Sequence, residues 1–129
     1  MLIPSSLEWM QSSLDGRRWL SALPDQLARY RKRWGLQLGT PYAGSYVSYV
    51  LPAVTQRDEK VVLKIRFPDR ESRDESLALR TWDGNGAVRL LEEHGTAMLL
   101  ERCMPGRHLS TAGPDEGLRV LIDLLPRLW

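Results

Sequence analysis

A lysine inside an apolar run is the residue of this chain whose position most clearly suggests chemistry. Lys64 lies within residues 61–65 (VVLKI), and the β-branched residues around it predict a buried strand. An ammonium group is costly to bury unless an anion, such as a phosphate, lies beside it. Two interpretations stay open here. Either Lys64 binds an anionic group, or it lies on the solvent-facing side of a hairpin strand with its aliphatic stem along the sheet.

Glu75 is the candidate partner for this lysine. It lies in residues 71–82, which are predicted to form a helix. Glu75, Leu79 and Trp82 are spaced at i, i+4 and i+7, so the carboxylate shares a helix face with residues expected in a core. Glu71 lies one turn earlier on that face, but the helix dipole already explains an acidic residue in the first turn. We therefore predict an ion pair between Glu75 and the strand lysine, the arrangement with which protein kinases bind ATP phosphates.

The patterns on either side of this pair predict the elements that position it. Residues 46–54 and 60–67 predict two strands, which the polar link 56–59 joins into a hairpin. Asp69, directly after Pro68, is the predicted N-cap of the helix.

A second hairpin is predicted beyond that helix. Residues 83–86 (DGNG) tolerate positive φ and end the helix, and residues 87–91 and 96–101 predict two strands that turn around residues 92–95. The resulting order β-β-α-β-β predicts an α+β fold, with a mostly antiparallel sheet and one helix packed on a face.

The N-terminal segment, residues 2–34, is predicted to be helical with a break around Pro24. Proline suits the first turn of a helix, and Gly35 suits the position just past its end. One face carries apolar residues at helical spacing and the other carries basic residues: Leu23, Leu27, Tyr30 and Trp34, against Arg29, Arg31, Lys32 and Arg33. We do not favour nucleic-acid binding by the basic face, because no aromatic or glycine-rich pattern accompanies it. The helix dipole already explains basic residues in a last turn.

Composition and charge indicate the class of protein. The 129 residues are 43% hydrophobic and 26% charged, which is typical of one globular domain. Eighteen Lys and Arg residues against 16 Asp and Glu give a net charge of +2, too small to indicate nucleic acid on its own. The single cysteine, Cys103, excludes an internal disulfide and a multi-cysteine zinc site, and fits a reducing compartment. No signal-peptide pattern and no window of roughly 18 apolar residues occurs, so we expect a cytoplasmic protein without membrane contact.

A series of short motifs, taken in order, resembles the aminoglycoside and hydroxyurea phosphotransferase family, to which streptomycin 6-kinases belong. The resemblance covers most of the chain, roughly residues 19–125, without large gaps. The motifs are RWGL at 33–36, GSYVS at 44–48, VLP at 50–52, VLKI at 62–65, FP at 67–68, Glu75, ALR at 78–80, WDG at 82–84, GAVRLL at 86–91 and LLER at 99–102.

This resemblance implies the nucleotide-binding N-terminal lobe of a protein-kinase-like fold, with ATP and Mg²⁺ as cofactors. Carried across by position, Lys64 would hold the ATP phosphates and Glu75 would orient Lys64. Gly44 and Ser45 match the loop that covers the phosphates, where backbone N–H groups and the Ser45 hydroxyl would act as donors. This loop has one glycine where a protein kinase has three.

The resemblance also implies a hinge between two lobes. Its residues would be Glu101, Arg102, Cys103 and Met104, with backbone groups that hydrogen-bond adenine. Residues 98–100 would line the adenine pocket, although ordinary core packing explains Met98 and Leu100 equally well. Cys103 has no histidine partner in the sequence pattern, so we expect it to pack in the hinge rather than act as a nucleophile.

The catalytic loop of such a fold is missing from this sequence. Phosphoryl transfer there needs a loop Asp that orients the acceptor hydroxyl, an Asn on Mg²⁺ and a second Asp on the metal. The chain has one asparagine, Asn85, in a predicted turn, and neither His94 nor His108 is followed by the required Asp and Asn. We therefore expect no catalytic residue and no metal ligand in this chain.

The C-terminal residues predict an uncovered apolar helix. Five apolar residues recur at helical spacing as the chain approaches Trp129: Leu118, Leu121, Ile122, Leu125 and Leu128. Such a face predicts association with another surface or a missing domain. We accordingly divide the chain into a helical segment at 1–35, a nucleotide-binding lobe with its hinge at 36–104, and a truncated start of a second lobe at 105–129.

The resemblance implies an ATP-dependent O-phosphotransferase for small polyhydroxylated amines such as aminoglycosides, represented by an N-terminal lobe that is inactive alone. The alternative is a non-enzymatic module that binds a nucleotide, or a partner chain through the exposed C-terminal helix.

Overall fold

The structure, a computed structural model, describes residues 2–104, 106–107 and 109–128, apart from the side chains of residues 70–73. Its elements are, in chain order, a 3₁₀ helix at Ser5–Ser12, α1 at Leu14–Arg33, β1 at Gln37–Leu38, β2 at Ser48–Val54, β3 at Lys60–Arg66, α2 at Arg70–Trp82, β4 at Leu90–His94, β5 at Ala97–Glu101, a 3₁₀ helix at Leu109–Thr111 and α3 at Pro114–Leu128.

The strands form one five-stranded antiparallel sheet in the order β1-β2-β3-β5-β4. The strand that carries Lys64 is therefore central, with Val50 of β2 on one side of the lysine and Met98 of β5 on the other. The predicted α+β class and antiparallel sheet are confirmed. The short edge strand β1 was not predicted, because two residues are too few to show an alternating pattern.

The two faces of the sheet have different coverings. Side chains alternate along a strand, so Leu63 and Ile65 point to one face while Lys64 points to the other. The first face packs against α1 and the N-terminal 3₁₀ helix; this main core includes Leu7, Met10, Trp19, Leu23, Leu27, Tyr30, Leu63 and Ile65. The second face carries a smaller cluster of Leu79, Met98 and Leu100, with Trp82 packed against it. Lys64 therefore shares its face with α2.

Helix α1 runs without interruption through Pro24, so the break predicted there is wrong. The change in helix type comes earlier, at Ser13, whose side chain accepts a hydrogen bond from the Gly16 backbone N–H at 3.0 Å. A proline inside a helix loses one backbone hydrogen bond. Here the buried residues Leu23 and Leu27, on either side of Pro24, hold the helix against the sheet.

The second hairpin is shifted relative to its prediction. Strand β4 spans Leu90–His94 instead of 87–91, and the turn lies at Gly95 and Thr96, with Gly95 at a φ of 58°. The physical reason is Glu93, which was assigned to the turn but forms ion pairs with Arg66 and Arg80 and is thereby held within the strand.

Helix α3 begins at Pro114 and leaves its apolar face largely open to solvent. Leu118, Leu121, Ile122 and Leu125 are each between 45% and 63% exposed. Its C-terminal end is attached to the rest of the molecule: the Trp82 indole donates a hydrogen bond to the Leu128 carbonyl at 3.2 Å. None of the helices among the described residues is both long enough and apolar enough to cross a membrane.

We predict that Leu23→Ala lowers the free energy of unfolding by about 2–5 kcal/mol, because Leu23 is fully buried where α1 meets the sheet. Urea unfolding followed by circular dichroism measures the change. Leu14→Ala, at an exposed position of the same helix, is the matched control and is expected to stay within about 0.5 kcal/mol of the wild type. Equal effects of the two variants would contradict the packing described above.

Candidate functional site

Lys64 and Glu75 form an ion pair in the structure, with 2.5 Å between Nζ and Oε1. The two side chains are 23% and 31% exposed, so both are partly buried. Glu71, the competing acidic residue, has a side chain outside the described residues. An ammonium group carries three N–H donors, and Glu75 fixes its direction, so further donors can bind an anion beside the pair.

A cavity of about 270 Å³ opens next to this pair. Its lining combines two cationic and two acidic side chains with loop and strand residues: Val47, Ser48, Lys64, Arg66, Phe67, Asp69 and Glu75. Asp69 directly precedes α2, the position predicted for its N-cap. Among the described residues, no three His, Cys, Asp or Glu side chains are grouped so that they could hold a metal ion.

Glu93 joins the strands to the helix that carries Glu75. One carboxylate oxygen accepts from Arg66 Nη2 at 3.1 Å, and the other accepts from Arg80 Nη2 at 2.7 Å. The Arg66 side chain, only 7% exposed, also donates to the backbone carbonyls of Thr96 and Gly95. Because Arg66 belongs to β3 and Arg80 to α2, this network fixes the helix relative to the lysine strand.

The ionised form of Glu93 is stabilised by its surroundings. Burial by itself raises the pKa of this carboxyl, but a hydrogen bond from Ser76 and the charges of Arg80 and Arg66 outweigh burial, so its pKa lies below the ordinary glutamate value. Glu93 therefore remains charged throughout the neutral range.

A second, more apolar cavity of about 480 Å³ lies on the same face of the sheet. All four predicted hinge residues line it; the full lining is Tyr42, Val50, Val62, Val88, Leu100, Glu101, Arg102, Cys103, Met104 and Gly106. It adjoins the first cavity, because Val50 pairs directly with Lys64, and Val62 precedes Lys64 by two residues on one strand. The more apolar cavity therefore lies beside the one that contains the Lys64–Glu75 pair.

Not every residue predicted for the adenine pocket or hinge has a side chain free to contact a ligand. Leu100 lines the apolar cavity, but Met98 is fully buried against Leu79, so the core interpretation is right for Met98. The Arg102 side chain donates to the Ala53 carbonyl at 2.6 Å and to the Val61 carbonyl at 3.2 Å, so it is bonded to the backbone of β2 and β3.

Only the residues that follow the loop predicted to cover the phosphates reach the cavity beside Lys64. Gly44 has a φ of 95°, and a Cβ built on it would meet no atom within 4 Å. Neither Gly44 nor Ser45 lines the cavity beside Lys64, whereas the next residues, Val47 and Ser48, do.

Ten residues that line the two cavities were not predicted as part of the site: Tyr42, Val47, Ser48, Val50, Val62, Arg66, Phe67, Asp69, Val88 and Gly106. Strand alternation could have found Val62, which lies on the face of Lys64, but Tyr42 and Val88 lie outside the strands, where no periodicity identifies them.

Comparison with known proteins identifies a family and several relatives. Residues 33–129 match the family described as aminoglycoside/hydroxyurea antibiotic resistance kinase. Hydroxyurea phosphotransferase of Kitasatospora aureofaciens is 44% identical over 97 residues, which cover 74% of this chain and 28% of that protein. Streptomycin 6-kinase of Streptomyces griseus is 37% identical over 117 residues, covering 88% and 38%, and streptomycin 3''-kinase of Klebsiella pneumoniae is 33% identical over 102 residues, covering 75% and 37%. The chain thus spans well under half the length of these relatives, and no solved structure matches it significantly.

We predict that Glu93→Gln destabilises the fold by about 1.5–3 kcal/mol at pH 7, because Arg66 and Arg80 lose their shared carboxylate. The pKa of Glu93 is lower in the folded than in the unfolded chain, so its contribution to stability is present at neutral pH and is lost as the pH falls below the ordinary glutamate range, about 4.3, and through the lowered value. Thermal unfolding between pH 3 and 7 measures both effects.

In this experiment the difference between wild type and Glu93→Gln should shrink towards pH 3. Glu92→Gln, at the exposed neighbouring position, is the matched control and should show little change at any pH. A pH-independent difference for Glu93→Gln would contradict the assignment of the effect to the charge.

Proposed function

The chain belongs to the aminoglycoside/hydroxyurea antibiotic resistance kinase family, and on this premise we propose that it is the ATP-binding N-terminal lobe of a phosphotransferase. The acceptor would be a hydroxyl group of a small polyhydroxylated amine such as an aminoglycoside. The observation that carries the proposal is the Lys64–Glu75 pair, which lies on the sheet face where an anion-binding cavity adjoins an apolar one.

The phosphates would lie in the cavity beside Lys64. Its ammonium group, held by Glu75, would donate to oxygens of the α- and β-phosphates, as the strand lysine does in protein kinases. In this proposal Gly44 and Ser45 cover the phosphates from the preceding loop. Val47 and Ser48, which line this cavity, support that location because they continue directly from the loop.

Adenine would lie in the apolar cavity. A volume of about 480 Å³ is within the range of small-ligand sites. Val50, Val62 and Leu100 would contact the faces of the base, and the main chain of residues 101–104 would hydrogen-bond its polar edge. The apolar side chains Val50, Val62 and Leu100 in this lining support a flat heterocycle such as adenine.

The reaction would transfer the ATP γ-phosphoryl group to the acceptor hydroxyl with the help of Mg²⁺. Orientation of the acceptor and ligation of the metal need a loop Asp, an Asn and a second Asp. Asn85, the one asparagine of the chain, lies in the turn after α2 and outside the lining of both cavities. We therefore propose that these roles belong to residues outside this chain.

A second candidate function is a non-enzymatic module that binds a nucleotide or a partner chain. The exposed apolar face of α3, formed by Leu118, Leu121, Ile122 and Leu125, favours it, because such faces mark association sites. Dimerisation through this face would not require the Lys64 cavity.

We predict that the chain binds Mg·ATP saturably and that Lys64→Met weakens this binding at least about tenfold, since one charge-assisted hydrogen bond contributes roughly 1.5–3 kcal/mol. Isothermal titration calorimetry measures the dissociation constant. Lys60→Met, at an exposed position of the same strand, is the matched control and should bind like the wild type. Absence of binding together with a concentration-dependent dimer in sedimentation would instead favour the interaction module.

We further predict that the 129-residue chain alone does not phosphorylate streptomycin, hydroxyurea or a related acceptor. The reason is that the catalytic Asp and the metal ligands are proposed to lie outside this chain. A steady-state assay with labelled ATP tests this. Turnover that Lys64→Ala abolishes would contradict the prediction, whereas turnover that survives in this variant would indicate a contaminating kinase.

A further inference from the structure

The N-terminal 3₁₀ helix contacts the glycine-containing loop through two side chains. The Ser6 hydroxyl donates to the Ser45 carbonyl at 2.6 Å, and the Trp9 indole N–H donates to the Tyr46 carbonyl at 2.8 Å. Residues 6 and 9 lie about one helical turn apart, and their acceptors are consecutive peptide groups of the loop. Nothing in the proposed function uses these contacts.

The 3₁₀ helix is firmly attached to the core on its other side. Leu7 and Met10, which alternate with the two donors, are both 0% exposed and belong to the main core. The segment before it is held as well, since the Tyr49 hydroxyl donates to the Leu2 carbonyl at 2.7 Å. Burial raises the pKa of Tyr49, which keeps this hydroxyl protonated. Ser6 and Trp9 therefore project from a fixed base.

The loop, by contrast, has little other support at its tip. Gly44 adopts a left-handed φ of 95° with open space around it, and Tyr46 is 66% exposed. Among the described residues, backbone hydrogen bonds hold the loop at its two ends, from Tyr42 N–H to the Val50 carbonyl and from Phe67 N–H to the Val47 carbonyl. Between these ends, the peptide groups of the loop accept the hydrogen bonds from Ser6 and Trp9.

Turning these two carbonyls also turns two N–H groups. In a trans peptide the C=O and the following N–H point in opposite directions. With the Ser45 and Tyr46 carbonyls directed towards the 3₁₀ helix, the N–H groups of Tyr46 and Val47 are directed away from it. Successive backbone N–H groups with a common direction form an anion-binding concavity.

We propose that Ser6 and Trp9 are positioning residues that hold the loop at residues 43–47 in one conformation beside the Lys64 cavity. The loop continues directly into Val47 and Ser48, which line that cavity, so its conformation sets the wall on this side. The consequence for ATP rests on the proposed function, whereas the positioning itself does not.

The experiment combines Ser6→Ala with Trp9→Phe, which removes both donors and keeps an aromatic ring at position 9. Limited chymotrypsin digestion of the whole chain, followed by mass spectrometry, measures the cleavage rate after Tyr46. Each net hydrogen bond changes a local equilibrium by about 2- to 12-fold, so we expect cleavage at this site to be about tenfold faster in the double variant. The Mg·ATP dissociation constant should rise about three- to tenfold.

Two matched controls separate loop positioning from general loosening. The Ser12 hydroxyl bonds the Trp9 carbonyl within the 3₁₀ helix and not the loop, so Ser12→Ala should leave cleavage after Tyr46 unchanged. Trp34→Phe removes an indole N–H at the far end of α1, where Trp34 stacks on Tyr30, and should also have no effect on this site.

The outcomes distinguish this inference from the proposed function. Unchanged cleavage after Tyr46, or faster cleavage in equal proportion at all sites, would overturn the positioning role. Faster cleavage at Tyr46 alone, in a chain whose wild type does not bind Mg·ATP, would support the positioning role and overturn the nucleotide-binding function.

Discussion

The structure depends most on one electrostatic constraint: a lysine in the central strand of the sheet requires a carboxylate on the same face. The Lys64 side chain is less than a quarter exposed, and Glu75 is the group that meets it. The face beneath α2 accordingly combines this ion pair with a small apolar cluster, whereas the main core lies on the opposite face against α1.

A second charged residue, Glu93, also fixes the helix relative to the sheet. Glu93 in β4 binds Arg66 of β3 and Arg80 of α2, and Arg80 lies about three helical turns along α2 from Asp69. The helix is therefore held at two points along its length, by Glu75 and by Arg80. Replacing a whole buried ion pair by apolar groups often costs little stability, whereas leaving one of its charges without a partner is strongly unfavourable. Such pairs therefore constrain the geometry of the elements that carry them.

The sequence contained enough information for the central pair and for the fold class, but not for everything around them. Alternation in β3 and the helical spacing of Glu75, Leu79 and Trp82 are local patterns, and the predicted pair is present in the structure. The register of β4 depends on where Glu93 meets two distant arginines, which no local pattern encodes. The continuity of α1 through Pro24 likewise depends on Leu23 and Leu27 finding a sheet to pack on. The orientation of the loop at Gly44 depends on side chains about forty residues earlier in the chain.

The close packing at Gly86 places the end of α3 against the turn that follows α2. Gly86 has a φ of 85°, and a Cβ there would lie 3.1–3.2 Å from side-chain atoms of Leu124, Arg127 and Leu128. The Leu128 carbonyl also accepts from Trp82, which lies about 10 Å along α2 from Glu75. Helix α2 therefore contacts the end of α3 at Trp82 and carries, two turns earlier, the carboxylate that pairs with Lys64.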